Sequence, residues 1–206
     1  MTLKVIVFDF DGTLIDSNRL KYDAFFKLFP DDAHHARTVR EVLDQTGEAS
    51  RYEIIEKILA GLGRRPTDLQ GDVNALAERY NIIVLDGAKR CPQMPGAGPA
   101  LKSLAAGYRL YVSSTTPESP LQEIIGFRGW SAYFAGIFGY PRKKSETLRR
   151  ILEAENVDAK AALVVGDGQS DREAARENGC PFLPVDATFD FHNFQNAIEN
   201  IQHIEA

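Results

Sequence analysis

Val5-Ile6-Val7-Phe8-Asp9-Phe10-Asp11-Gly12-Thr13-Leu14-Ile15-Asp16-Ser17 is the stretch from which the fold is read. A short β-branched apolar run ends abruptly in two acids and an Asp-Gly turn. Apolar runs of this length, bounded by turn residues, are the pattern of a strand buried on both faces. Side chains alternate along a strand, so Asp9 and Asp11 are expected on one side, with Phe8 and Phe10 on the other. Gly12-Thr13 then breaks the strand. Two carboxylates at the C-terminal end of a buried strand lie where open α/β sheets bind ligands. Taken alone, the pair also fits a plain Asp-Gly turn closing a strand.

The same signature returns twice downstream. Leu110–Val112 with its lead-in and Ala162–Val165 are apolar runs of the same kind as Leu3–Phe8, and each precedes a segment of helical spacing. Shorter strands are predicted at Gly136–Phe138 and Pro181–Val185. Helical spacing is carried by Leu101 and Leu104, by Leu148, Ile151 and Leu152, and by Arg172–Glu177, which ends in an Asn178-Gly179 cap signal. The prediction is an α/β fold with a doubly wound, mainly parallel sheet. Residues 17–90 differ: Phe25, Phe26 and Leu28, then Val39, Val42 and Leu43, then Ile54, Ile55, Ile58, Leu59 and Leu62, then Val73, Leu76 and Ala77 recur at helical spacing. Turns at Phe29–Asp32 and Gly63–Pro66 separate them. This predicts an inserted helical unit over 17–90 in a discontinuous core of 1–16 and 91–206, with Pro92–Gly98 as the returning linker.

Bulk properties narrow the class of function. The 206 residues are 44% hydrophobic and 26% charged with a net charge of −5. An acidic balance gives no electrostatic reason to expect nucleic acid or an anionic membrane as partner. No apolar run approaches the roughly 18 residues of a membrane span. The stretch Val5–Phe8 is too short for a secretory signal and runs into acids. Cys91 and Cys180 are far apart and lack metal-ligand spacing, so two free thiols in a reducing cytoplasm are expected.

Three further clusters carry chemistry. Gly166-Asp167-Gly168-Gln169-Ser170-Asp171 comes directly after the third apolar run, with Asp167 at the strand end and Asp171 in the first turn of the next helix. An acid at the position of Asp171 also complements the helix dipole, and both readings stand. Carboxylates converging at strand ends repel one another unless a cation lies among them. Hard oxygen donors in an incomplete set favour magnesium, completed by water and substrate. Val112-Ser113-Ser114-Thr115-Thr116-Pro117 brings hydroxyls and backbone N–H groups suited to phosphate, or simply to capping. Arg142-Lys143-Lys144-Ser145 adds a basic run before a helix opening with Ser145 and Glu146, while Arg142 and Lys143 read as solvated loop residues.

Asp-x-Asp-Gly-Thr, a strand ending in serine, a lysine and Gly-Asp-x-x-x-Asp succeed one another in that order. The order resembles the four-motif pattern of the haloacid dehalogenase superfamily, from Val5 to about Val185. Gly139-Tyr140-Pro141-Arg142-Lys143-Lys144-Ser145-Glu146-Thr147-Leu148 is similar to the family's Gly-x-Pro-x-x-Lys-x-x-x-Leu form and selects Lys144 over Lys143. The inserted helices resemble the cap of the phosphoglycolate-phosphatase-like and β-phosphoglucomutase-like branch. The resemblance implies a Rossmann-like core and a magnesium-dependent phosphatase acting on a small phosphorylated metabolite. Asp9 would be the nucleophile and Asp11 the acid/base. Ser113, Ser114, Lys144 and backbone near Gly12 would bind phosphate. Asp9, the backbone carbonyl of Asp11, Asp167 and Asp171 (directly or through water) would hold Mg2+.

Thr46-Gly47-Glu48-Ala49-Ser50-Arg51-Tyr52 resembles the Gly-x-Ser-Arg cap segment of β-phosphoglucomutase and related phosphatases, with one extra residue before Ser50. Arg51 reads equally as a contact for a second anionic group of the substrate and as a surface residue of an amphipathic helix. The segment keeps a phosphomutase in view, for which a hexose 1-phosphate would isomerise without releasing phosphate. A phospho-accepting receiver module is a further alternative, opposed by the helical insert and by Asp-x-Asp-Gly-Thr. His34 and His35 read as solvated surface, and Trp130 as packing.

Overall fold

The computed structural model describes residues 2–17, 19–46, 49–64 and 69–204. It divides into two compact units, Met1–Ser17 with Cys91–Ala206, and Asn18–Arg90. The first unit holds a five-stranded parallel sheet of β1 (Val5–Phe8), β2 (Arg109–Pro117), β3 (Phe134–Tyr140), β4 (Ala162–Gly166) and β5 (Phe182–Pro184). The spatial order is β3-β2-β1-β4-β5. The chain thus builds outward from β1 through β2 and β3, then returns to start again on the other side of β1. That reversal creates a crevice at the C-terminal ends of β1 and its neighbours, the usual ligand position of a doubly wound sheet.

Burial is set by the alternation of β1. Val5 and Val7 join Tyr111, Val164, Leu148, Ile151, Ala174 and Ala175 in one core layer. The helices on that face are α7 (Lys144–Glu155) and α8 (Gln169–Asn178), and α8 stops at Gly179 with φ 72°. On the opposite face Phe8 lies 5.7 Å ring to ring from Phe194 of α9 (Phe194–Ile204) and 6.3 Å from Phe191. Both layers remove large side chains from water, each worth about 1.5–3 kcal/mol. Among the described residues this unit also has the α-helices α5 (Ala97–Leu104) and α6 (Glu118–Phe127).

The second unit contains α1 (Leu20–Phe26), α2 (Ala33–Thr46), α3 (Arg51–Gly61) and α4 (Leu69–Arg90) among the described residues. Its core joins Phe25, Leu28, Val39, Ile54, Ile55, Ile58, Leu59, Val73, Ala77 and Tyr80, with Phe25 and Tyr80 at 4.5 Å. α3 opens with a capping box in which Ser50 and Glu53 satisfy each other's backbone donors. Gly47, Glu48, Arg65 and Pro66, named in the cap segment and its turn, lie outside the described residues.

Several expected boundaries move. β1 begins at Val5 rather than Leu3, and β2 runs to Pro117, past the predicted end. α7 opens at Lys144, one residue early, because Lys143 already has the extended backbone of a cap residue. The linker from Pro92 ends at Gly96, whose φ of 73° turns the chain into α5. No described helix is long and apolar enough to cross a membrane. Neither Cys91 nor Cys180 is in a disulfide among the described residues, and Cys91 Sγ accepts from Arg128 at 3.3 Å. Trp130 is buried and stacks beneath the Arg128 guanidinium.

Candidate active site

Register builds the site. Phe8 is level with Val112 of β2 and Val165 of β4. The next residues, Asp9, Ser113 and Gly166, therefore form one row across β1, β2 and β4, with Asp167 one residue beyond Gly166. The Asp9 amide donates to the Val165 carbonyl at 2.8 Å, which carries the parallel pairing one residue past β1. Beyond it the Phe10 carbonyl accepts from Leu14 and Ile15, and Gly12 adopts φ 74°. A left-handed turn of this kind favours glycine. The Gly12 N–H itself donates to the Ile15 carbonyl at 2.9 Å, so the residue's evident role is the turn.

Lys144 lies at the centre of the row. Its Nζ is 2.8 Å from Asp9 Oδ1 and 2.8 Å from Asp171 Oδ1, with all three side chains buried. Asp171 reaches this position from the third residue of α8, where its Oδ2 also accepts from the Gly168 N–H at 3.3 Å. It passes so close to β4 that a Cβ on Gly166 would stand 2.4 Å from its Cγ. Gly166 is therefore required by the path of Asp171. Asp167 stays exposed, and its Oδ1 accepts from Thr13 Oγ1 at 3.2 Å. Ser113, Asp9, Lys144 and Asp171 line one small cavity.

Burial raises the Asp9 carboxyl above its ordinary range, and Lys144 only partly offsets this while Asp171 adds to it. Asp171 is raised by burial as well, again partly offset by Lys144. Burial pulls the Lys144 ammonium down, but the two carboxylates outweigh it and hold it above its usual value. The cluster therefore has more negative charge than one ammonium neutralises. Asp9, Asp167 and Asp171 each offer an oxygen within 4.8 Å of the others. Three carboxylates against one lysine leave two negative charges, a donor set that fits a hard divalent cation.

Asp11 engages a different set of partners. Its Oδ1 accepts from Ser17 Oγ at 2.7 Å and its Oδ2 from Thr116 Oγ1 at 2.5 Å. β1 ends at Phe8, and Asp11 already belongs to the turn that follows, bridged to Ile15. The carboxylate of Asp11 is outside the three-acid group, which leaves its backbone carbonyl as the expected donor. Ser114, predicted to hold phosphate, uses its hydroxyl to accept from the Thr116 N–H at 3.1 Å. Ser17 and Thr116 join the site through Asp11, and Thr13 of the strand-breaking turn joins it through Asp167. The sequence signal for Thr116 is its place in the hydroxyl-rich run at the C-terminal part of β2. Arg51 lies in the helical unit, where its Nε is buried without a hydrogen-bond partner and its guanidinium stacks on Tyr52.

A family profile described as haloacid dehalogenase-like hydrolase matches residues 3–179. The chain belongs to that family. Among its relatives, the phosphoglycolate phosphatase of Rhodospirillum rubrum is 30% identical over 191 residues, covering 87% of this chain and 78% of that protein. Solved structures share the fold. A haloacid dehalogenase-like family hydrolase from Streptococcus pneumoniae has a TM-score of 0.60 at 24% identity, covering 94% of this chain and 91% of that one. A chain described as a predicted phosphoglycolate phosphatase from Haemophilus somnus has a TM-score of 0.71 at 18% identity, covering 96% and 99%. The family membership makes the chain an enzyme, a hydrolase whose curated relatives are phosphatases.

Proposed function

We propose that this hydrolase is a magnesium-dependent phosphatase that cleaves a small phosphate monoester in the cytoplasm through an aspartyl-phosphate on Asp9. The observation that carries the reading is the buried Asp9–Lys144–Asp171 arrangement beside Asp167 at the sheet's switch point. Asp9 is the nucleophile: a carboxylate oxygen attacks phosphorus and the bond from phosphorus to the ester oxygen breaks. Asp11 gives its proton to the departing alkoxide. It then takes a proton from water as that water attacks phosphorus, the bond to Asp9 breaks and inorganic phosphate leaves. Lys144 and Ser113 hold the transferred group's peripheral oxygens, with backbone N–H groups near Gly12 and Ser114. Asp9, Asp167, Asp171 and the Asp11 carbonyl are the proposed Mg2+ donors. When bound, Mg2+ supplies the positive charge that lets an anionic nucleophile meet an anionic substrate.

On this reading residues 1–16 and 91–206 form the catalytic core and 17–90 the cap that sets specificity. Arg51, with its unpartnered Nε, is the proposed contact for a second anionic group of the substrate. Phosphoglycolate is the first ester to test, since curated relatives carry its name. Metal binding is testable without activity. A ligand at about a hundred times its Kd stabilises the folded state by ~2.7 kcal/mol, equivalent to roughly 5–11 °C in Tm for a domain of this size. Mg2+ is expected to raise the wild-type Tm in that way, and Asp167→Asn should abolish most of the shift. An equal shift in the variant, or none in the wild type, would contradict the donor set.

A further inference from the structure

We propose that Thr116 is a positioning residue that orients the Asp11 carboxylate for proton transfer, an inference that rests on the acid/base reading of Asp11 above. Thr116 Oγ1 donates to Asp11 Oδ2 at 2.5 Å while Ser17 Oγ takes the other oxygen at 2.7 Å. The carboxylate is thus gripped at both oxygens.

Thr116 is itself placed by three independent features. Between Ser113, level with Phe138, and Pro117, level with Tyr140, β2 carries more residues than β3 and the register breaks. An irregularity of this kind re-aims side chains at a sheet end, and here it presents Thr116 to Asp11. The Thr116 N–H is fixed by Ser114 Oγ at 3.1 Å. Its carbonyl lies where a Cβ on Gly139 would approach to 2.5 Å, with the Glu118 backbone at 2.6 Å, so only glycine at 139 lets the two backbones pack. The hydroxyl-rich C-terminal part of β2 therefore does more than face phosphate: Ser114 secures Thr116, and Thr116 secures Asp11.

A hydroxyl suits this task because it both donates and accepts. It can donate to ionised Asp11 and rotate to accept from protonated Asp11. The hydrogen bond then survives both halves of a reaction in which Asp11 first loses and then gains a proton. A valine keeps the shape of threonine and the Thr116 backbone contacts but can do neither.

The experiment compares Thr116→Val, Thr116→Ser and Asp11→Asn, singly and as Asp11→Asn/Thr116→Val, on the best ester of a phosphate-monoester panel with Mg2+. A misplacement of the reacting group of about 1 Å costs on the order of 100-fold. Thr116→Val is therefore expected to lower kcat by about 10- to 100-fold with KM changed by less than about twofold. Thr116→Ser should recover most of the rate. In the Asp11→Asn background Thr116→Val should cost nothing more, since residues acting through one group are not additive. A crystal structure of Thr116→Val should show the Asp11 carboxylate rotated or disordered. An unchanged kcat, an equal loss in both backgrounds, or an Asp11 that keeps its orientation would overturn the proposal. If the wild type released phosphate from no ester, the phosphatase reading would fail, while the Asp11 orientation would still decide the role of Thr116.

Discussion

Replacing Asp9 by asparagine is expected to reduce phosphate release by on the order of 10⁴- to 10⁶-fold, the loss seen where a nucleophile works as part of a unit. The amide fills the same volume at the end of β1 but has no anionic oxygen to attack phosphorus. The fold should survive. Asp9 is buried beside Asp171, and its charge is resisted by burial, so the neutral amide relieves part of a desolvation cost. Lys144 keeps Asp171 as a partner at 2.8 Å. The expected result is a folded protein with near-native Tm and phosphate release at background. Undiminished release by the variant would remove Asp9 from the mechanism.

Lys144→Met should have the second-largest effect, and it should act on both activity and stability. Loss of one preorganised cationic donor to the transferred group is worth about 10²–10³ in kcat. Removing one partner of a buried ion pair costs about 3–5 kcal/mol, because the remaining charge is left uncompensated. In Lys144→Met two carboxylates are left facing each other. Their raised pKa values set the sign with pH. A carboxyl whose pKa rises on folding keeps a proton that the unfolded chain has released, so stability is highest at low pH and falls as pH rises above the ordinary carboxylate range. Without Lys144 that fall is steeper. The Tm gap between wild type and Lys144→Met, measured without metal, should be small near pH 4 and widen towards pH 8. A gap that stays constant across this window would show that Lys144 does not neutralise Asp9 and Asp171.

The fold was legible because β1, β2 and β4 are short apolar runs with no competing period. The elements that escaped had split signals. α6 begins directly after β2, with Pro120 in its first turn, where proline is tolerated. Its buried Leu121, Ile124 and Ile125 do recur at helical spacing. α9 buries Phe194 and Ile198 four residues apart, a pattern too brief to stand out near the end of the chain. At the site, Asp9, Ser113 and Asp167 could be read from order alone, because β1, β2 and β4 run parallel in register and bring the row after their apolar runs together. Asp171 could be placed in a first turn but not shown to reach Lys144; that needed the bare Gly166 beneath it. The contacts of Thr116 and Ser17 with Asp11 were not legible, although Thr116 stands in a hydroxyl-rich run. The two residues meet Asp11 only because β2 loses register past Ser113 and the chain curls back after Gly12. The turn at Gly12 has its Asp-Gly signal, but the register break in β2 has none.

If phosphate passes through a covalent bond to Asp9, rapid acid quenching will trap it there. The enzyme is mixed with excess phosphoglycolate or another panel ester and Mg2+, quenched within one turnover, digested and weighed. The peptide containing Asp9 should carry one phosphoryl group, lost at alkaline pH as an acyl phosphate is, and absent from Asp9→Asn. Phosphate release in full turnover with no label on that peptide, or with label on another residue, would contradict it.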